Sequence, residues 1–280
     1  MGSSYFSNSV VIVTGAASGI GRELALQTAD RGASIIAADI ESRGLEETRQ
    51  LVEQQRGIIQ SYVLDIANKE AIQQFAGQVM PTLKGRKLIL INNAGAALLS
   101  GTFDQTDLED MEWLFTINFW GAVRLTKAFY PYFLTHNKGH IVNVSSVFGL
   151  AGFPHQSAYS PAKFALRGFT ETIRCELIGT GVITTCVHPG GIKTNIAKNS
   201  RVASNMTSAH LQAIEQFDQV AKTLPQEAAR QLIRAIEKKK QRVLIGADAQ
   251  LLDLLVRLFP VGYSRIIKKQ TDKAFISLTN

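Results

Sequence analysis

Tyr159 and Lys163 stand four residues apart in Tyr159-Ser160-Pro161-Ala162-Lys163. On a helix that spacing puts a phenol and an ammonium on one face. A phenol ordinarily titrates near about 10, and a neighbouring cation favours the phenolate, each tenfold gain in acidity corresponding to about 1.4 kcal/mol. The pairing therefore predicts a phenol tuned towards the pH at which a general acid/base works best. Pro161 suits the first helical turn, where no intrahelical N–H bond is lost.

A second chemistry-bearing stretch is Thr14-Gly15-Ala16-Ala17-Ser18-Gly19-Ile20-Gly21. Gly15, Gly19 and Gly21 allow a tight turn in which backbone N–H groups, with Ser18 and Ile20 among them, approach a diphosphate at a helix N-terminus. Asp39, one βα unit downstream, is placed to accept hydrogen bonds from the adenosine ribose and to repel a 2′-phosphate. Neither Ser18 nor Ile40 is basic. The implied cofactor is NAD in preference to NADP, with Arg22 and Arg43 as the cations that could reverse that preference.

These residues need a frame. Runs rich in β-branched residues at 10–13, 34–38, 58–64, 88–91, 140–144 and 183–187 read as six buried strands. Helical patterns fall at 19–31, 43–55, 69–80, 108–136 and 158–178, and a helix at 225–240 precedes a seventh strand at 242–245. Strands spaced by helices argue for βαβ units and a doubly wound α/β fold of Rossmann type, with helices on both faces of a parallel sheet. The glycine turn then follows the first strand and Asp39 ends the second. No linker-like stretch or internal repeat divides the chain. Residues 1–245 are read as one dinucleotide-binding catalytic domain that includes a substrate lid at about 193–224, and 246–280 as an amphipathic C-terminal tail.

Composition excludes more than it identifies. The 280 residues are 45% hydrophobic and 19% charged, with a formal charge of +7. No long basic run or aromatic–basic interleaving accompanies that charge, so no nucleic-acid partner is expected. Cys175 and Cys186 lack the spacing of a disulfide framework or a zinc knuckle. His136, His140, His155, His188 and His210 lack metal-ligand spacing, and no G-x-S-x-G elbow supports a hydrolase. With no basic leader before the first strand and no apolar stretch of spanning length, a cytoplasmic location is expected.

With Asn92-Asn93-Ala94-Gly95 after the fourth strand, Asn118, Ser146, Tyr159/Lys163 and Pro189-Gly190 after the sixth, the chain resembles the short-chain dehydrogenase/reductase family over roughly residues 8–245. Ser145 and Ser146 compete for the family's serine, and its usual separation of thirteen residues from the tyrosine selects Ser146. The resemblance implies Tyr159 as proton donor and acceptor, and Lys163 as the group that lowers its pKa and holds the nicotinamide ribose. It implies Ser146 as the residue that polarises the substrate oxygen, and Asn118 as the anchor of a water through which Lys163 exchanges protons. Asp65 and Ile66 would meet the adenine, Asn92, Ala94 and Gly95 would line the cofactor cleft, and Pro189, Gly190, Ile192 and Thr194 would lie along the nicotinamide, the last two holding its carboxamide. Asn143 fits the family pattern as well. A homodimer or homotetramer formed through the helices at 108–136 and 158–178 is implied by the same analogy.

The implied activity is hydride transfer between NAD(H) and an alcohol or carbonyl carbon. The alternative is a dinucleotide-binding regulator or scaffold without turnover, which would not need the serine–tyrosine–lysine set. Ala97, Leu98, Phe148, Phe153, His155, Gln156 and Gly191 are the candidate substrate walls, with Phe153 the leading contact, and their apolar character suggests a hydrophobic small-molecule substrate. The tail carries Leu251, Leu252, Leu254, Leu255, Leu258 and Phe259, then Arg265, Lys268 and Lys269. It is read as packing on its own domain or on a partner subunit, in preference to peripheral contact with a membrane.

Overall fold

A computed structural model of the chain describes residues 4–203 and 221–276. The elements run β1 (Ser9–Thr14), α1 (Gly19–Ala29), β2 (Ser34–Asp39), α2 (Ser42–Gln54), β3 (Ile58–Val63), α3 (Lys69–Val79), β4 (Lys87–Asn92) and β5 (Leu98–Leu99). There follow α4 (Leu108–Phe115), a π-helical turn (Thr116–Gly121), α5 (Ala122–His136), β6 (Gly139–Val144), α6 (Tyr159–Glu176) and β7 (Val182–Pro189). The chain then forms β8 (Arg201–Val202), α7 (Pro225–Glu237), β9 (Arg242–Ile245), α8 (Ala247–Leu258) and α9 (Tyr263–Ile276).

Seven strands form one parallel sheet in the order β3-β2-β1-β4-β6-β7-β9. Alternate residues of the central strands feed two cores. Val11, Val13, Ile35, Ile89 and Ile91 face Leu24 of α1, Leu45 and Val52 of α2, and Leu232 and Ile233 of α7. Val10, Ile12, Leu88 and Leu90 face Phe75 of α3, Phe129 and Phe133 of α5, and Ile173 of α6. A doubly covered sheet explains why these strands read as continuous apolar runs. The order reverses between β1 and β4, so the crevice beyond their carboxyl ends is where such folds take ligands.

Three sequence readings change. The strand at 58–64 is not buried: β3 is an edge strand, with Ile58 and Val63 68% and 67% exposed. The helix at 108–136 is two α-helices joined through the π turn. The tail's apolar stripe is covered only in part by its own domain: Leu252 and Leu255 are half-buried, while Leu251, Leu254 and Leu258 of α8 are exposed. In the predicted lid, β8 pairs in parallel with β5 and Ile192 bridges to Thr223, while 204–220, His210 included, lie outside the described residues. Among the described residues, no helix is long and apolar enough to cross a membrane.

Candidate active site

The glycine turn is built by close approach. Gly15 has φ +69°, and a Cβ there would lie 2.9 Å from Ala94 Cα, while a Cβ at Gly21 would overlap the Gly15 carbonyl. Thr14 locks the two strand ends together: its hydroxyl accepts from Asn93 N at 3.1 Å and Ala94 N at 3.0 Å. Asn93 in turn donates to the Thr14 carbonyl at 2.9 Å. Ser18 caps α1 without spending its side chain on the helix N–H groups. A Cβ at Gly19 would lie 3.2 Å from the Thr194 methyl, so Thr194 closes over this turn, while Ile192, near it in sequence, is buried in the core.

Asp39 stands between two turns. Its Oδ2 accepts from Ala17 N at 2.9 Å and its Oδ1 from Glu41 N at 3.0 Å. Glu41 adds a second carboxylate, which caps α2 by accepting from Arg43 N and Gly44 N. Arg22 is occupied: its guanidinium donates to the Ala17 and Gly44 carbonyls, to Thr48 and to Glu47. Arg43 pairs with Glu47 at 3.7 Å from an exposed position. Asp65 turns back to accept from Ala67 N at 2.8 Å, and the buried Ile66 packs under Gly121.

Ser146, Tyr159 and Lys163 meet beyond β6. The two serines separate cleanly: Ser145 donates to the Lys163 carbonyl at 2.9 Å, whereas the Ser146 side chain accepts from Phe148 N at 3.2 Å and faces Tyr159, whose pKa it pulls down. Lys163 Nζ donates to the Val144 carbonyl at 3.2 Å and lies 5.6 Å from the centre of the Tyr159 ring. Asn118, in the π turn, donates to the Ala96 carbonyl at 2.9 Å and accepts from Ala96 N at 3.0 Å. Gly95 is exposed at this point, and a Cβ there would lie 2.7 Å from Asn118 Oδ1 and 3.4 Å from Lys163 Nζ. The Tyr159 ring is held by Leu98, Leu114 and Ala158 and edge-on by Phe148 at 5.5 Å. Phe153 packs on Phe148 at 4.4 Å.

The electrostatics run against the sequence reading. Burial pushes the Tyr159 phenol up to about 12, against the downward pull of its hydrogen bond to Ser146. Burial also pushes Lys163 down to about 8. Desolvation penalises both charged forms, and Lys163 is not among the groups that lower the phenol, so the acidifying pairing inferred from spacing does not act here. At neutral pH Tyr159 holds its proton.

Asn92 also departs from its expected place. Its amide donates to Thr126 at 3.0 Å and to Asn143 Oδ1 at 2.7 Å, and Asn143 donates to Thr170 at 2.9 Å. The pair forms a buried strut from α5 through the sheet to α6; Asn93, one residue later, is the one at the glycine turn. Sequence reasoning missed His188. Burial pushes it down to about 4, and it sits 3.0 Å from the Ser146 carbonyl through Nδ1, so the neutral ring can donate there and steady the serine. Among the described residues no cluster of His, Cys, Asp and Glu is placed to hold a metal ion.

The family model for short chain dehydrogenase matches residues 9–205. A putative oxidoreductase, SadH, of Mycobacterium tuberculosis is 39% identical over 275 residues, covering 97% of the chain and 98% of the relative. Human estradiol 17-beta-dehydrogenase 11 is 31% identical over 269 residues, covering 95% and 84%. Among solved structures, a Burkholderia phymatum short chain dehydrogenase/reductase in complex with NAD superposes with a TM-score of 0.84 at 26% identity, covering 94% and 97%.

Proposed function

The chain belongs to the short-chain dehydrogenase/reductase family of oxidoreductases, and from that premise we propose that it is an NAD-dependent enzyme interconverting a hydrophobic alcohol and its ketone or aldehyde. The observation that carries this reading is the meeting of Ser146, Tyr159 and Lys163 beyond β6, with Lys163 beside exposed Gly95 and a glycine turn that has no room for side chains next to it.

When bound, nicotinamide supplies or accepts the hydride; the chain's own residues do the rest. Backbone N–H groups at Gly15, Ser18, Gly19, Ile20 and Gly21 hold the diphosphate. Asp39 takes the adenosine ribose, and Asp65 and Ile66 border the adenine. Ala94 and Gly95 form the floor, with Asn92 bracing it from below, and Pro189, Gly190, Ile192 and Thr194 flank the nicotinamide. Ser146 donates to the substrate oxygen and stabilises its negative charge. The protonated Tyr159 gives its proton to that oxygen in reduction and must first lose it to act in oxidation. Lys163 keeps two protons free of Val144 for a ribose hydroxyl. The Asn118 amide spends one donor and one acceptor on Ala96, which holds the wall beside Lys163, and keeps a second N–H for the water through which Lys163 exchanges protons.

NAD is favoured because a 2′-phosphate would meet Asp39 and Glu41, while Arg22 and Arg43 are turned to other partners. An apolar substrate fits the Leu98, Phe148 and Phe153 side of the site; a relative named for estradiol points the same way. Residues 1–245 form the catalytic domain with a lid at about 193–224, of which 204–220 lie outside the described residues, in a cytoplasmic homo-oligomer joined through the helical stretches 108–136 and 158–178, where Trp120 of the π turn, Leu134 of α5 and Phe164 of α6 are exposed.

A panel of secondary alcohols, steroids and long-chain aldehydes, followed by nicotinamide absorbance with NAD and NADP in parallel, tests the reading. Tyr159→Phe is expected to lower turnover by about 10²- to 10⁴-fold with dinucleotide binding retained. Near-normal rates in that variant would end the mechanism, and preference for NADP would end the cofactor assignment. Dinucleotide binding without turnover of any compound would favour the regulator instead.

A further inference from the structure

Asp248, in the first turn of α8, belongs to the tail, yet its carboxylate reaches the turn after β7. Oδ2 accepts a hydrogen bond from Gly191 N at 2.7 Å, across 57 residues of sequence. The carboxylate occupies the space that a Cβ would need at Gly190, and crowds Gly246 in the same way. Gly246 itself has φ +98°, a conformation that favours glycine. The ends of β7 and β9 thus close around one acidic side chain, and Gly190 N joins them by donating to the Ile245 carbonyl at 2.9 Å.

The turn gripped by Asp248 leads directly into Ile192 and Thr194. On its other side, Thr223 N donates to the Gly191 carbonyl at 3.3 Å and Lys193 N to the Thr223 carbonyl at 2.9 Å. Three residues beyond Gly191, the Thr194 methyl stands against Gly19 of the diphosphate turn. A carboxylate accepting from a backbone N–H makes a stronger bond than a neutral acceptor, and one in the first turn of a helix is favoured by the helix dipole.

We propose that Asp248 is a positioning residue for the nicotinamide end of the dinucleotide, holding the Gly190–Gly191 turn so that Ile192 and Thr194 stand at the height the carboxamide requires. The tail is then part of the cofactor site. This rests on the dinucleotide reading above and deepens it, because it separates the two ends of the cofactor: the adenosine and diphosphate contacts on α1 and β2 do not depend on Asp248.

Equilibrium binding of NADH and of ADP-ribose, which lacks the nicotinamide, to the wild-type chain and to Asp248→Ala and Asp248→Asn tests this. Asp248→Ala is expected to weaken NADH by about five- to tenfold, the loss of one hydrogen bond to a charged group partly open to water, and to leave ADP-ribose within about twofold. Asp248→Asn keeps an oxygen that can accept from Gly191 N and is expected to recover most of the NADH affinity. Equal weakening of both ligands would mean a general loss of structure and overturn the proposal, as would unchanged NADH binding in Asp248→Ala. A wild-type chain that binds neither ligand would remove the dinucleotide reading itself, a failure visible before any variant is compared.

Discussion

Helices α7 and α8 flank the last strand of the sheet, are of similar length and both look amphipathic, but they are attached in opposite senses. Helix α7 buries Ala228, Ala229, Leu232, Ile233, Ala235 and Ile236 in the core shared with α1 and the sheet. Helix α8 is richer in leucine, yet among its residues only Ala249 is buried, while Leu251, Leu254 and Leu258 are 69%, 53% and 63% exposed. What fastens α8 is its acidic side chains: Asp248 on Gly191, and Asp253 on Arg242, with Nη1 to Oδ2 at 3.0 Å. Hydrophobic periodicity says which face of a helix is apolar; it does not say that anything is there to cover it.

The largest effect expected from this contrast is on stability. Ile233→Ala in α7 should cost about 2–5 kcal/mol in denaturant unfolding, a transfer loss plus a cavity in a fully packed layer; a cost below about 1 kcal/mol would show that α7 is no better anchored than its neighbour. Of intermediate size is Arg242→Ala, which removes the partner of Asp253. Amide exchange in 247–258 should rise about tenfold, as for a lost charged hydrogen bond, while exchange in β1 and β4 holds. Equal acceleration in the central strands would mean that α8 is not separately attached.

Acid should do the same reversibly. The hydrogen bond from Arg242 holds the Asp253 carboxyl below its ordinary value. That stabilisation is complete above the unfolded value of about 4 and is lost as pH falls through the lowered one. Exchange in α8 that stayed flat through this range would count against the ion pair as the anchor. The smallest effect belongs to Leu254→Ser, expected to change stability by no more than about 0.5 kcal/mol. A cost above about 2 kcal/mol would show that the leucine face is covered after all.

The same contrast explains what was legible in the sequence. Central strands covered on both faces announce themselves as unbroken β-branched runs, and β1, β2, β4, β6 and β7 lie within about a residue or two of the boundaries read from that pattern. The Tyr159/Lys163 pair and the three glycines are local patterns on local elements, and the structure places both groups beyond the carboxyl ends of the strands. Only a family spacing selects Ser146 in the sequence; the physical reason is that Ser145 is turned to the Lys163 carbonyl. The edge position of β3, the exchange of roles between Asn92 and Asn93, His188 behind Ser146 and Asp248 on Gly191 all depend on which distant elements become neighbours. Periodicity carries no such information. The desolvation that raises Tyr159 is likewise a property of everything packed around the phenol, not of the four-residue spacing.

The π-helical turn at Thr116–Gly121 ties chain length to chemistry. A helix advances by about 100° per residue, and a π turn accommodates one residue more than the α-helical pitch. Deleting any one residue between Thr116 and Gly121 would let α4 and α5 fuse into a regular helix with every backbone bond intact. It would also abolish the wide turn that carries Asn118, changing that residue's own angular position so that its amide could no longer face Ala96. In this stretch the residue count itself is under constraint, and a deletion harmless to helix formation would still dismantle the wall beside Lys163.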